Sequence, residues 1–321
     1  MRRFHLVGFV LLAAAFLLGP TRARAELRVF VTNEKSDDVT VIDAATRAVV
    51  GTVRVGKRPR GIAVSQDGKR VYVSNSNSDS LSVIDAKTLA VLSTAPAGID
   101  PEGLTLNRSG NAIYVVNENE LAVTVLDAAS LTIRKKVAVG KEPETAVASP
   151  DGRWIAVSNE TSDDVHVIAT ASDTVVKQIP VPKNPRGMRF AADSRKLFVA
   201  SEQAHVVSVI DMEEMRVIKS ESTGGSRPVD IALTPDGSRL YVSHGQTGDV
   251  RVLDSASLKV LAVVPTGPRT WWMALSPDAK FLYATVGRAN ELAVIDTSSN
   301  TVVARIPCGT LPWGVAIADT P

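Results

Sequence analysis

The sequence predicts an all-β fold, a seven-bladed β-propeller made of four-stranded blades. A unit of about 42 residues recurs along the chain. Its anchor positions, 42 or 43 residues apart, are Pro59, Pro101, Pro143, Pro185, Pro228, Thr270 and Pro312. Each unit holds four short apolar runs separated by turn residues, the pattern of a propeller blade. A helical repeat is disfavoured because no run reaches the roughly ten residues that an amphipathic helix needs.

The blade count follows from one strand that is recognisable in every unit by a Val-Ile or Val-Leu pair. The seven pairs begin at Val41, Val83, Val125, Val167, Val209, Val252 and Val294. The repeats begin at a second strand, Leu27 onward, and finish with a lone first strand from Pro312. We therefore expect the C-terminal strand to complete the N-terminal blade, which removes an open sheet edge from a single domain over residues 26–321.

Two recurring sets of aspartates are predicted to be turn residues rather than catalytic acids, because each set recurs at one offset in the repeat. The first set lies between the first and second strands: Asp67, Asp151, Asp236 and Asp278. The second set follows the Val-Ile or Val-Leu pairs: Asp43, Asp85, Asp127, Asp211, Asp254 and Asp296.

Residues 1–25 have the features of a cleaved secretory signal peptide. Arg2 and Arg3 precede an apolar stretch, residues 6–18, and the segment ends in Ala23-Arg24-Ala25. Thirteen apolar residues are few for a bilayer span, so we expect cleavage before Glu26, no membrane span afterwards and a periplasmic location.

Net charge argues against a nucleic-acid partner. The chain has 36 basic and 34 acidic residues, and removal of the leader's four arginines leaves a net charge of about −2. A nucleic-acid partner would need a basic face. Cys308 is the single cysteine, so no internal disulfide forms, and we expect a packed thiol.

Departures from the repeat gather in the loops that precede first strands and follow second strands, and both loop sets open on one face. The candidate binding residues on this rim are Glu34, Arg58, Arg60, Glu102, Glu118, Glu144, Glu160, Arg186, Glu202, Arg227, His244, Arg269, Trp271 and Trp313. Arginines could hold carboxylates there and tryptophans could offer stacking surface. The alternative is a solvated rim that only keeps the protein soluble.

The tryptophans should cluster near the closure blade, since they fall in adjacent repeats. Trp271 and Trp313 are expected to be exposed, whereas Trp272 occupies the position of a close-packed glycine and is expected to pack. His244 stands where four other blades carry Asn.

Arg189 stands out in the innermost strand, where the other blades carry Ala, Thr or Val. Its guanidinium should enter the axial channel or find an acid, and Asp230 is the candidate partner. A structural plug and a ligand contact are both open.

Known catalytic and metal-binding motifs are absent from the sequence. There is no H-x-x-x-H or H-E-x-x-H spacing, no G-x-S-x-G and no P-loop. We therefore predict no metal site, no resident cofactor and no enzymatic activity.

The repeated YVSN, YVVN, AVSN and VIDA segments resemble the YVTN family of β-propeller repeats over residues 27–318. The whole chain is most similar to propellers associated with PQQ-dependent alcohol catabolism. That resemblance implies a periplasmic accessory protein that works with quinoprotein dehydrogenases, cytochromes or a transport system. It does not identify any ligand-binding residue in this sequence.

Three functions remain open from the sequence. The first is a non-catalytic binding or scaffolding protein that uses the rim to hold a protein partner in quinone-linked oxidation. The second is a carrier of a planar anionic cofactor such as PQQ or haem. The third, a lactonase-like hydrolase, depends on fold analogy alone.

Overall fold

Seven four-stranded antiparallel sheets make up the computed structural model, which describes residues 26–320. The seven-bladed fold predicted from the repeat is therefore confirmed. The predicted signal peptide, residues 1–25, lies outside the described residues.

The strands follow the repeat in chain order. Blade 1 begins with β1 (Glu26–Asn33), β2 (Asp38–Asp43) and β3 (Val49–Arg54). Blade 2 has β4 (Pro59–Val64), β5 (Arg70–Asn75), β6 (Ser80–Asp85) and β7 (Val91–Pro96). Blade 3 has β8 (Pro101–Leu106), β9 (Ala112–Asn117), β10 (Ala122–Asp127) and β11 (Ile133–Ala138). Blade 4 has β12 (Pro143–Ala148), β13 (Trp154–Asn159), β14 (Asp164–Ala169) and β15 (Thr174–Pro180).

The second half of the chain repeats the same plan. Blade 5 has β16 (Pro185–Phe190), β17 (Lys196–Ser201), β18 (Val206–Asp211) and β19 (Arg216–Ser222). Blade 6 has β20 (Pro228–Leu233), β21 (Arg239–His244), β22 (Asp249–Asp254) and β23 (Val260–Pro265). Blade 7 has β24 (Thr270–Leu275), β25 (Phe281–Val286), β26 (Glu291–Asp296) and β27 (Thr301–Pro307). β28 (Pro312–Thr320) returns to blade 1, and 3-10 turns occupy Ser76–Ser78 and Gly287–Ala289. Within residues 26–320, no helix is long and apolar enough to cross a membrane.

Blade 1 joins the two ends of the described chain, as predicted. β28 pairs antiparallel with β1, from Thr320 opposite Glu26 to Val315 opposite Val31. Val315 is buried in this blade. The pairing closes the ring of blades and leaves no open sheet edge between the first and last repeats.

Within residues 26–320, the hydrophobic core is divided among the interfaces between neighbouring blades, which hold seven clusters. At the closing interface, Tyr283 and Leu292 of blade 7 cluster with Val31 and Ile42 of blade 1. Val, Ile and Tyr suit this arrangement because each blade buries both of its faces against neighbours.

The repeated aspartates accept hydrogen bonds within turns, which confirms the turn interpretation. Asp67 accepts from Ser65 Oγ at 2.6 Å and from the Lys69 N–H at 3.1 Å. Asp85 accepts from the N–H and the hydroxyl of Thr88 at 2.7 and 2.9 Å. These bonds hold the pKa of both carboxyls below the usual range, so the acids serve the blades as anions.

Candidate functional site

One face of the disc, called the mouth here, is built from the loops before each first strand and the loops after each second strand. The residue before each anchor has a φ between 50° and 62° although none is glycine: Arg58, Asp100, Glu142, Asn184, Arg227, Arg269 and Leu311. Left-handed backbone in such residues is strained and often marks a functional site. Here it recurs in all seven blades, so it belongs to the blade architecture.

The residue after each anchor contributes to a ring on the innermost strands, called the central ring. Its members are Arg60, Glu102, Glu144, Arg186, Val229, Trp271 and Trp313. Arg60 Nη1 donates to Glu102 Oε2 at 2.7 Å, and Arg186 Nη1 donates to Glu144 Oε1 at 2.8 Å. The same guanidinium groups lie 5.4 Å from the Trp313 ring and 5.2 Å from the Trp271 ring. Charge pairs and cation–π contacts therefore tie the blades together at the axis.

Arg186 is paired inside the protein with three carboxyl groups. Its Nη1 lies 2.8 Å from Glu144 Oε1, and its Nη2 lies 2.8 Å from Glu160 Oε1. Its Nε pairs with Glu202. Burial, aided by the Glu144 carboxylate, raises the pKa of Glu160 to about 8. Arg186 thus holds internal acids rather than presenting its charge to a ligand.

Glu34 has the opposite surroundings, one carboxylate among three arginines. Its oxygens lie 3.3 Å from Arg60, 3.3 Å from Arg269 and 3.5 Å from Arg58. Burial acts to raise the pKa of Glu34, but the three guanidinium groups outweigh it and the pKa is lowered. The predicted rim residues are therefore largely paired with one another.

An acidic group lies on the blade 3 side of the mouth, where Asp100, Glu102 and Glu118 have carboxylate oxygens within 4.8 Å of one another. Burial is the main cause that raises the pKa of each, and neighbouring carboxylates add to it. Arg58 lies 3.2 Å from Asp100 and 3.7 Å from Glu102. Arg58 therefore already supplies positive charge to this group, and the prediction of no metal site stays a prediction.

A basic cavity of about 600 Å³ opens over blades 5 to 7. It is lined by Arg60, Arg186, Glu202, Arg227, Gly245, Gln246, Pro268, Arg269, Trp271 and Arg288. Glu202 is the one acid in this lining, against five arginines. Three of these arginines are paired with buried carboxylates, so the positive charge that the cavity presents comes from the other two.

Two of these arginines, Arg227 and Arg288, are available to a ligand. The Arg227 side chain is 57% exposed, and among the described residues it has one ion pair, to Glu202 at 3.5 Å. Arg288 is exposed, and no ion pair to it occurs in the described part of the chain. Arg269, by contrast, is paired with Glu34 at 3.3 Å and lies 4.7 Å from the Trp271 ring centroid. Burial lowers the pKa of Arg269 more than Glu34 raises it.

Two predictions for the rim are wrong. Trp313 is only 2% exposed because its ring packs 4.7 Å from that of Trp272, which confirms the packing expected for Trp272 and the clustering of the tryptophans. His244 is fully buried, with Nε2 2.7 Å from Thr223 Oγ1 and Nδ1 3.1 Å from Asp249. It pairs with Asp249 of its own blade, as Asn33 bonds to Asp38, so it lies away from the mouth surface.

Two mouth residues were not among the predicted site residues. Arg288 lies in the 3-10 turn after β25, where the sequence reads ATVGRA instead of the usual Tyr-Val-Ser-Asn pattern. That departure was the available signal. Asp100 was visible in the loop before β8, but only the folded chain brings Glu118 beside it.

Arg189 and Asp230 both line the central channel, but they do not form the predicted ion pair. Arg189 Nε donates to the Ile231 carbonyl at 3.3 Å. Asp230 is 3% exposed and accepts from the Met273 N–H at 2.8 Å. The carboxylate is held by blade 7 backbone, and the guanidinium stays exposed in the channel.

Comparison with family models supports a β-propeller family. Residues 63–149 match the YNCE-like beta-propeller model, and residues 19–103 match the cytochrome D1 heme domain model. No curated protein matches the sequence significantly.

Solved structures share the fold at low sequence identity. Hydrazine synthase from Kuenenia stuttgartiensis superposes with a TM-score of 0.78 at 23% identity, over 91% of this chain and 99% of that chain. Dihydro-heme d1 dehydrogenase NirN in complex with DHE gives 0.69 at 18% identity, over 90% and 74%. A proposed 6-phosphogluconolactonase from Bacteroides fragilis gives 0.79 at 18%, over 94% and 100%.

Proposed function

We propose that this protein is a non-catalytic binding propeller whose basic cavity holds a planar ligand that carries carboxylates. The observation that carries the proposal is the pair of exposed arginines in the cavity wall, Arg227 and Arg288, beside Trp271. Arg227 and Arg288 are exposed on loops of neighbouring blades, so each can bind one carboxylate of the same ligand.

The residues of the cavity fit such a ligand in size and in chemistry. A volume of about 600 Å³ lies in the range of small-molecule and cofactor sites. Trp271 offers apolar surface beside the arginines. No His, Cys or Met lines the cavity within residues 26–320, and these are the common axial ligands of haem iron. The lining therefore favours a carboxylated quinone such as PQQ over a haem bound through its iron.

The biological setting that we propose is the periplasm, in PQQ-linked alcohol oxidation. The resemblance to propellers of PQQ-dependent catabolism supports it, as does the signal-like sequence of residues 1–25. The match to the cytochrome D1 heme domain and the likeness to NirN are consistent with a propeller that handles a planar cofactor. When bound, PQQ would supply redox chemistry, while the cavity would bind and orient it.

A protein partner is the second candidate, favoured by the division of the mouth into two charged sectors. The acidic group of blade 3 and the basic cavity over blades 5 to 7 lie in different sectors of the mouth. A quinoprotein dehydrogenase, cytochrome or transport component with complementary sectors would dock in one orientation. The lactonase-like hydrolase remains the third alternative and depends on fold likeness alone.

The test is a titration of the purified protein with PQQ, followed by quenching of tryptophan fluorescence. We expect saturable quenching, and an affinity loss of about tenfold or more in Arg227→Gln/Arg288→Gln, since each charge-assisted contact is worth about that much. The control is Arg153→Gln/Arg195→Gln, which makes the same charge change in the first-to-second-strand turns of blades 4 and 5. No quenching of the wild type, or equal losses in both variants, would reject the cavity as the site.

A further inference from the structure

The central channel is a second cavity, separate in its lining from the basic cavity. It has a volume of about 220 Å³ and is formed by the innermost strands of the blades. Most of its wall is small or apolar, as at Gly61, Ala63, Ala146, Met188 and Met273. For comparison, an apolar cavity of about 150 Å³ can hold benzene. The channel is therefore large enough for a small organic molecule.

Arg189 gives this apolar channel one exposed positive charge. Only its Nε is used within the protein, in the bond to the Ile231 carbonyl. Its two terminal nitrogens have neither a hydrogen-bond acceptor nor an ion-pair partner within residues 26–320. A guanidinium fixed at Nε presents its remaining N–H groups in a defined plane. Such a plane is matched by the two oxygens of a carboxylate.

We propose that the channel is a binding site for a small monocarboxylate with an apolar or aromatic body. The carboxylate would pair with the terminal nitrogens of Arg189, and the body would lie against Met188, Met273 and the edge of the tryptophan pair. Trp272 and Trp313 both line the channel. Six blades carry a small uncharged residue at the Arg189 position, so the blade fold does not require the arginine.

Asp230 restricts the charge of the ligand. Its carboxylate lines the same channel. Burial raises the pKa of Asp230 to about 6, and the Arg189 guanidinium acts in the opposite direction. Because the Asp230 carboxylate opposes the Arg189 guanidinium, the channel has too little positive charge to bind a di- or tricarboxylate. A single carboxylate on an apolar body fits this balance, whereas a polycarboxylate fits the basic cavity of the mouth.

Benzoate is the probe, with benzamide as its uncharged counterpart, and binding is measured by calorimetry and tryptophan fluorescence. We expect saturable binding of benzoate and at least tenfold weaker binding of benzamide. Arg189→Gln should weaken benzoate binding about tenfold or more, because it removes the charge-assisted pair. Asp230→Asn should tighten it severalfold, because it removes the opposing carboxylate.

Two further variants keep the proposal testable if Arg189→Gln fails to fold. Ala63→Leu adds bulk to the channel wall without a change of charge, and it should also weaken benzoate binding. Arg227→Gln/Arg288→Gln should bind benzoate as the wild type does. Equal binding by Arg189→Gln, or loss of benzoate binding in the Arg227→Gln/Arg288→Gln protein, would overturn the channel site. Neither result depends on PQQ binding, so failure here is distinct from failure of the proposed function.

Discussion

His205 Nδ1 accepts a hydrogen bond of 3.0 Å from the backbone N–H of Arg227, and this bond links a blade 5 turn to the loop that enters blade 6. The same link recurs at four other blade boundaries. The acceptor and donor pairs are Asp37 with Arg58, Asp79 with Asp100, Asp163 with Asn184, and Asn290 with Leu311. Both residues of every pair have positive φ. Each strained mouth loop at these boundaries is therefore fixed by a side chain of the preceding blade.

The first prediction is that His205→Ala lowers the free energy of unfolding by about 1 kcal/mol, the net worth of one hydrogen bond. His205→Asp should retain the bond, because Asp fills this position at three other boundaries and tolerates left-handed backbone. Urea unfolding of the three proteins measures the difference. Equal losses in the two variants would show that the side chain acts in another way.

The second prediction concerns Leu121, which occupies the same position in blade 3 without an acceptor. The N–H of Glu142, the matching donor, has no hydrogen-bond partner in the described part of the chain. Leu121→Asn should supply the acceptor and ease the left-handed backbone, with a gain of about 0.5–1.5 kcal/mol in unfolding free energy. Leu121→Ala is the control and should give no such gain.

The third prediction is that Arg186→Met destabilises the fold by about 3–5 kcal/mol near pH 8, because it leaves buried carboxylates without their partner. The pKa of Glu160, about 8, is already above its ordinary value. A raised folded-state pKa gives stability that is full at low pH and lost as the pH rises through that value. The deficit should therefore shrink at pH 5. Denaturant unfolding at both pH values measures it.

Arg227→Met is the matched control for Arg186→Met, since this guanidinium is 57% exposed and has one long ion pair. Its effect should stay below about 1 kcal/mol at either pH. A deficit in Arg186→Met that does not change with pH would contradict the electrostatic explanation and indicate lost packing against Trp271.

The fourth prediction concerns Asp230, whose pKa is raised to about 6, mainly by burial, while Arg189 acts in the opposite direction. Because the folded-state pKa exceeds the ordinary value of 3.8, Asp230 costs stability as the pH rises from about 4 through about 6. Asp230→Asn should remove this loss, so its advantage over the wild type should grow with pH to about 2–3 kcal/mol. Thermal unfolding from pH 4 to pH 8 checks the trend.

Asp236→Asn provides a control of opposite sign, because hydrogen bonds from Thr234 and Ser238 hold the Asp236 pKa at about 2. That group adds stability that is lost only as the pH falls toward its folded-state value. The substitution should thus remove stability at neutral pH. An Asp230→Asn advantage over the wild type that stays flat between pH 4 and pH 8 would contradict the role assigned to Asp230.

The blades and their closure could be predicted because the same strand and turn pattern recurs in every unit of the repeat. Asp67 and Asp85 recur at fixed offsets, so their turn roles followed from position alone. The pairing of β28 with β1 followed from the phase at which the repeats begin and end. Information of this kind is local or periodic, and it needs no knowledge of side-chain packing.

The partners of the mouth residues could not be predicted from the repeat. Arg186 forms ion pairs with Glu144 of blade 4 and Glu202 of its own blade. Which carboxylates it contacts depends on how neighbouring blades are tilted against each other. Trp313 differs from the residues at the same position of other repeats, which is also what an exposed ligand-binding residue would show. In the structure it packs against Trp272. A departure from the repeat therefore marks a special residue without telling whether it faces solvent or a neighbouring side chain.

The last prediction is that truncation before Leu311 prevents cooperative folding. The truncation removes β28 and with it the backbone pairing between β28 and β1. It also takes Trp313 and Val315 out of the interface between blades 7 and 1, where Val31 and Tyr283 would become exposed to water. The open edge of β1 would then be free to pair with other chains. We expect aggregation, or an unfolding transition without cooperativity, in calorimetry and light scattering. Truncation after Asp319 is the control, since it loses little beyond the bond from Thr320 to the Glu26 carbonyl. A monomeric, cooperatively unfolding protein that ends before Leu311 would show that the ring of blades is stable without its closing strand.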